Sequence, residues 1–182
     1  MSTIIASILA VEHPEVVKAL VLAHPIYCGT PPALVTMTEA MIKDRSVAPD
    51  LVAKFFEDFM YTPQTPEWLR TWQIRRVQGT DAIALAGCGQ GVVDLFGSVI
   101  GQTAETKAFM KKRAAPKLVV ATNALPAAAA WEEELGLGML DQIFYLNEGT
   151  FSHFVENEKF NQILQDWLKN VELGAANFGR KS

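Results

Sequence analysis

Apolar positions change period several times along the chain, and each change marks an element. Ile5, Ile8 and Leu9 fall at helical spacing, and Ile4 and Val11 widen the stripe over most of the surface. A helix buried on nearly all sides is expected there. His13-Pro14 ends it, because the residue before a proline is pushed out of the helical region. Val17–Ala23 is then a nearly continuous apolar run, the pattern of a central parallel strand covered on both faces. Pro25, Gly29, Pro31 and Pro32 mark a long turn.

From about Leu34 to Arg113 the period is helical. Val35–Ile42, Leu51–Met60, Trp68–Val77 and Thr103–Lys112 are the expected helices. Pro49, Pro63, Pro66 and Gly79 punctuate them, and Gly87-Cys88-Gly89-Gln90-Gly91 reads as a further break between helices. After Pro116 the period shortens again. Lys117–Ala121 and Asp141–Leu146 are expected strands, separated by a helix from Pro126 to about Leu135 that Gly136 is placed to cap. Asn147–His153 reads as a loop. Phe160, Ile163, Leu164, Trp167 and Leu168 then form one helical stripe. Glu172–Ser182 has few apolar anchors and reads as a mobile tail.

Strands alternating with helices imply an α/β fold with a parallel sheet. About three strands are few for such a sheet, since five or six is typical. The first would leave an unpaired apolar edge, which natural proteins avoid, so the chain reads as part of something larger.

Composition narrows the partners more than it names them. The chain has 182 residues, 49% of them hydrophobic, and a net charge of −4; that is ample for a core and offers nothing to a polyanion. The densest basic cluster, Lys111-Lys112-Arg113, reads as a helix end. Cys28 and Cys88 are too far apart for a ligand spacing and read as reduced thiols. The apolar run Ile4–Val11 is too short to span a bilayer, and Ala82–Gly101 is interrupted by Gln90, Asp94 and its glycines. A soluble cytoplasmic protein with no cofactor, no metal, no nucleic acid and no membrane partner is the expectation. The glycine cluster has the wrong spacing for a phosphate-cradling loop, and no strand leads into it.

The segment from Met1 to Leu22 adds a resemblance. A small-residue helix, then His13-Pro14-Glu15, Val16 and Leu20-Val21-Leu22, is similar to the helix and strand after the G-x-S-x-G nucleophile elbow of the α/β-hydrolase superfamily. In that family the serine precedes the histidine of His-Pro-Glu by about thirteen positions. Counted back from His13, it falls one residue before Met1. At the other end, Asn147–Phe160 followed by Trp167-Leu168 resembles the loop that presents the catalytic histidine and the helix that closes the fold.

The resemblance implies a partial α/β-hydrolase fold: residues 1–30 and 114–171 as the core, 31–113 as a helical cap, and 172–182 as the tail. It implies His153 as general base and the backbone N–H of Met1 as an oxyanion donor. It leaves the acid unknown. Where the family usually carries aspartate, Ala121-Thr122-Asn123-Ala124-Leu125-Pro126 has no carboxylate; Asn123 could orient an imidazole only as a neutral acceptor. At the end of the preceding strand, where some relatives carry the acid, this chain has His24-Pro25, read as a structural turn. His13 reads as structural, and Glu132, Glu133 and Glu134 as an exposed helical face. Ser2, Ser7 and Ser98 do not fall where the nucleophile belongs.

The implied family activity is hydrolysis of an ester, amide or related bond in a small apolar molecule. Phe55, Phe56, Phe59, Tyr61, Trp68, Trp72 and Phe96 would line the pocket. Without the serine, and with no acid, the chain alone is expected to be inactive. The alternative is a non-catalytic small-molecule-binding or protein-interaction member of the same fold. Self-association, or a partner chain, through the sheet edge is also expected.

Overall fold

A computed structural model describes residues 2–27, 31–98, 103–122, 127–147 and 149–178, with side chains through Glu172. The chain is an α/β protein with two compact units, Met1–Tyr27 with Lys107–Ser182, and Cys28–Thr106.

The first unit contains α1 (Ser2–Glu12), β1 (Leu20–Ala23), β2 (Lys117–Thr122), α6 (Thr103–Met110) from Lys107 on, α7 (Ala127–Leu135), β3 (Gln142–Leu146), α8 (Ser152–Val155) and α9 (Asn157–Phe178). Among the described residues the sheet has three parallel strands in the order β1-β2-β3. Every residue of β2 is buried, as in a central parallel strand whose two faces are both covered. Leu118, Val120 and Leu146 pack on Trp167 of α9, with Phe144, Phe160, Ile163, Leu164 and Val171 around them. The Trp167 indole N–H donates to the Leu140 carbonyl at 2.8 Å. The amphipathic stripe of α9 thus closes one face of the sheet, and Leu168, 40% exposed, lies at the stripe's margin. The helix continues past Glu172 to Phe178, into the segment expected to be a tail.

Two expectations for the first elements need correction. α1 is not buried all round: Ile4, Ser7 and Ala10 are buried, whereas Ile5 and Leu9 are exposed. β1 is not covered on both faces, although its unpaired edge is as expected: among the described residues it is an edge strand of the sheet. Leu20 and Leu22 are buried and Val21 is 41% exposed, because successive side chains of a strand point to opposite faces of the sheet.

The second unit is helical. It holds α2 (Pro32–Lys43), a 3₁₀ turn (Arg45–Val47), α3 (Ala48–Phe55), a π-helical turn (Phe56–Met60), α4 (Glu67–Gln78) and α5 (Ala82–Gly97). Its core gathers Met41, Ala48 and Ala86, with Met37, Leu51, Val52, Ala82 and Leu85 packed against them. The glycine cluster is not a break between helices. It is the middle of α5, started by the Asp81 carboxylate, which accepts from the N–H groups of Ile83 and Ala84 at 2.8 and 3.2 Å. Gly89 is buried, and a Cβ built on it would stand 2.8 Å from both Met41 Cε and Thr38 Oγ1. The glycine is there for close approach of α5 to α2, not for a turn.

Candidate functional site

The carboxyl edge of the sheet collects two histidines. His24 is the residue after β1, and its N–H donates to the Val120 carbonyl at 2.8 Å. Its φ is +48°, a left-handed conformation that costs a side-chain-bearing residue about 1–2 kcal/mol. Pro25 behind it is buried, and Tyr27, 3% exposed, anchors the chain three positions on.

His153 comes from the connection after β3. The expected loop is tighter than its sequence suggests: it closes when the Glu156 carboxylate accepts from the Asn147 N–H at 2.6 Å, and Ser152–Val155 turn into α8. The imidazole of His153 lies against Phe154 and Phe160, with ring centroids 4.4 and 5.9 Å away. Its Nδ1 is buried and has no hydrogen-bond partner among the described residues. In a catalytic triad that nitrogen is where the carboxylate binds. Thr122 Oγ1, at the end of β2, is likewise buried without a partner among the described residues. Met1, Asn123 and Cys28 lie outside the described residues.

Burial holds both imidazoles below the ordinary histidine value of 6.5, and the nearby charge of His153 depresses His24 further. Both are therefore neutral at pH 7, the form that can accept a proton. As pH falls through 6.5 the unfolded chain binds protons that the folded chain resists. Unfolding free energy is expected to decline from there until both folded-state values are passed. Urea midpoints at about pH 7.5 and about pH 5 measure this, and the double variant His24→Asn/His153→Asn is expected to flatten it. Asp141 acts in a lower window. Burial pushes its carboxyl up, but hydrogen bonds from the Lys117 side chain and from the Gly138 and Lys117 N–H groups outweigh that and hold it below 3.8.

The remaining candidates are dispersed. His13 is exposed and faces Glu15 at 3.5 Å. Ser2 is exposed, and the Ser98 hydroxyl donates to the Leu95 carbonyl at the end of α5. Ser7 is buried and accepts from Arg113 Nη1 at 3.0 Å. Of the aromatics in the helical unit, Phe96 is buried, whereas Phe59, Trp68 and Trp72 are exposed. Phe55 meets Phe59 at 5.1 Å and Phe56 meets Tyr61 at 6.1 Å. The groove beside α4 is lined by Glu57, Glu67, Arg70, Thr71, Ile74, Arg75 and Gln78 rather than by aromatics. Among the described residues no group of three or more His, Cys, Asp or Glu could hold a metal ion, and no helix is long and apolar enough to cross a membrane.

The amino-acid pattern missed a buried charge cluster. Glu132 is not part of an exposed face: it is fully buried. Arg113 Nη2 donates to its two oxygens at 3.0 and 2.7 Å, and the Tyr27 hydroxyl donates to Oε1. Lys117 Nζ stands 3.9 Å from Glu132 and 2.6 Å from Asp141. Lys111-Lys112-Arg113 does follow the end of α6, but the Arg113 side chain is core, and Lys111 and Lys112 are exposed. Burial and the Glu132 charge push the Tyr27 hydroxyl far up, against the opposing effect of Arg113, so it stays protonated as a donor. The signal was present in Ala129 and Glu132, three positions apart and so on one face of α7. Three consecutive glutamates sweep about 200° of a helix at 100° per residue, and they cannot all avoid its buried side.

The chain matches no family model, no curated protein and no solved structure among those compared.

Proposed function

We propose that the chain is an α/β-hydrolase-like protein in which His153 holds the place of the general base, and that its described residues do not complete a catalytic site. The family activity would be hydrolysis of an ester, amide or related bond in a small apolar molecule. One observation supports the reading above the others. His153 stands at the carboxyl edge, neutral, with Nδ1 buried and unpartnered among the described residues. Ligands to such folds bind at that edge. An imidazole without a carboxylate on Nδ1 is neither fixed in its tautomer nor stabilised once protonated, and that loss alone lowers turnover by about 10⁴-fold in a serine protease. The same orphaned nitrogen favours the second reading, a member of the fold that binds a small apolar molecule without reacting with it.

The test has two arms. On short-chain nitrophenyl esters the chain is expected to show no more turnover than its His153→Ala variant. A short-chain phenyl ketone, an ester analogue with no leaving group, is expected to shift the His153 ring signal in proton NMR. Turnover abolished by His153→Ala overturns the claim of an incomplete site. A His153 signal indifferent to the ketone overturns the placement of the ligand site.

A further inference from the structure

The amino edge of the sheet, at the other end of the strands from His153, holds a cavity that the carboxyl-edge reading does not use. Lys117 opens β2 and Asp141 stands just before β3, and their side chains meet at 2.6 Å. The cavity beside them has a volume of about 130 Å³, which at about 30 Å³ per water is room for a few waters or one small ion. We propose that it is a phosphate-binding site, in which Lys111, Arg113 and Lys117 hold the anion and Asp141 keeps Lys117 in place.

Charge decides the sign of the ligand. The lining carries three cations, Lys111, Arg113 and Lys117, against one carboxylate, Asp141. That carboxylate is already saturated. Its Oδ1 accepts from the Lys117 N–H at 2.9 Å, and its Oδ2 accepts from the Lys117 ammonium and the Gly138 N–H at 2.6 and 2.8 Å. Glu132, outside the lining, pairs with Arg113 at 2.7 Å. Two cations are thus matched by two carboxylates, and Lys111 is left over. It is exposed, and its ammonium has no partner among the described residues.

Donors remain open as well. An ammonium has three N–H groups and a guanidinium five. On Lys117 two are taken, by Asp141 at 2.6 Å and by the Gly136 carbonyl at 3.4 Å, while Glu132 at 3.9 Å is beyond hydrogen-bond reach. Arg113 donates from Nε to Met110, from Nη1 to Ser7 and from Nη2 to both Glu132 oxygens, which leaves one N–H on Nη1. With the Lys111 ammonium, three side chains therefore have donors to spare among the described residues. A phosphate offers an oxygen to each, whereas a carboxylate has only two. The Arg113 and Lys117 side chains are buried, so a charge-assisted bond there is stronger than one in water. Ala114, Ala115, Gly136 and Gly138 frame the space with side chains too short to fill it.

Inorganic phosphate, titrated into the chain at fixed ionic strength, is expected to shift the backbone amide signals of Gly136 and Gly138 in NMR and to saturate. Lys111→Ala should weaken the apparent affinity about two- to fivefold, the effect of one exposed charge contact. Lys112→Ala, one position on and outside the lining, should leave it unchanged. Lys117→Met keeps the aliphatic stem and removes the ammonium; in the folded variant, checked by circular dichroism, saturation is expected to be lost. If that variant does not fold, the comparison of Lys111→Ala with Lys112→Ala decides. Phenyl phosphate separates the two sources of the group. Binding comparable to that of inorganic phosphate assigns the site to a phosphate ester whose remainder lies outside the cavity, and much weaker binding assigns it to the free ion. Glycine signals that do not saturate overturn the proposal. Equal weakening by Lys111→Ala and Lys112→Ala overturns it too, because the ion is then drawn by diffuse charge and not held in a site.

Discussion

Replacing Glu132 by alanine is expected to lower the unfolding free energy by about 3–5 kcal/mol, the usual effect of removing one partner from a buried ion pair. The side chains of Glu132 and Arg113 are 0% and 1% exposed, and the pair lies 2.7 Å apart. Among the described residues, alanine would leave the buried guanidinium only Ser7 and the Met110 carbonyl as acceptors, and would take the Glu132 acceptor from the Tyr27 hydroxyl. At about 2–4 °C per kcal/mol for a chain of this size, the melting temperature should fall by about 6–20 °C. Glu133, its exposed neighbour, is the control: Glu133→Ala should stay within about 0.5 kcal/mol. Urea titrations of the two variants side by side decide the point. Equal, small effects would mean that Glu132 is the solvated residue its sequence context suggests.

The second large effect is expected in α5, where two glycines two positions apart should respond with opposite signs. Gly87 has nothing within 4 Å of a built Cβ, so Gly87→Ala should stabilise by up to about 1 kcal/mol through helix propensity alone. Gly89 faces Thr38 and Met41 at 2.8 Å. Gly89→Leu should destabilise by about 1–3 kcal/mol, because the added atoms overpack a closed contact. Thermal melts followed by circular dichroism read both. If the two substitutions shift the melt in the same direction, α5 does not approach α2 as described.

These two sites also show where the amino-acid pattern was legible and where it was not. The continuous apolar run of Leu118–Ala121 became the buried central strand, and the stripe Phe160–Trp167 became the helix that covers it, because period and burial agree there. The connection after β3 brought His153 to the carboxyl edge, although its last residues are helical. α5 was hidden because glycines are read as breakers by propensity, whereas Gly89 is tolerated for the space it leaves; the Asp81 cap was the counter-signal. Glu132 was hidden because carboxylates are read as surface groups, and only a partner distant in the chain, Arg113, makes its burial tolerable. The exposed side of α1 was overlooked because the Ile-rich stripe says nothing about what lies opposite each face. The edge position of β1 was legible in the small number of strands, whereas the exposure of Val21 was not, because a continuous apolar run does not show which face is left uncovered.

The central proposal is that the described residues supply His153 with neither a nucleophile nor an acid. A fluorophosphonate that phosphonylates activated serines, followed by intact-mass spectrometry, tests it most directly. The account predicts an unmodified chain, indistinguishable from His153→Ala after the same treatment. A single serine adduct that forms on the parent and fails to form on His153→Ala would contradict it.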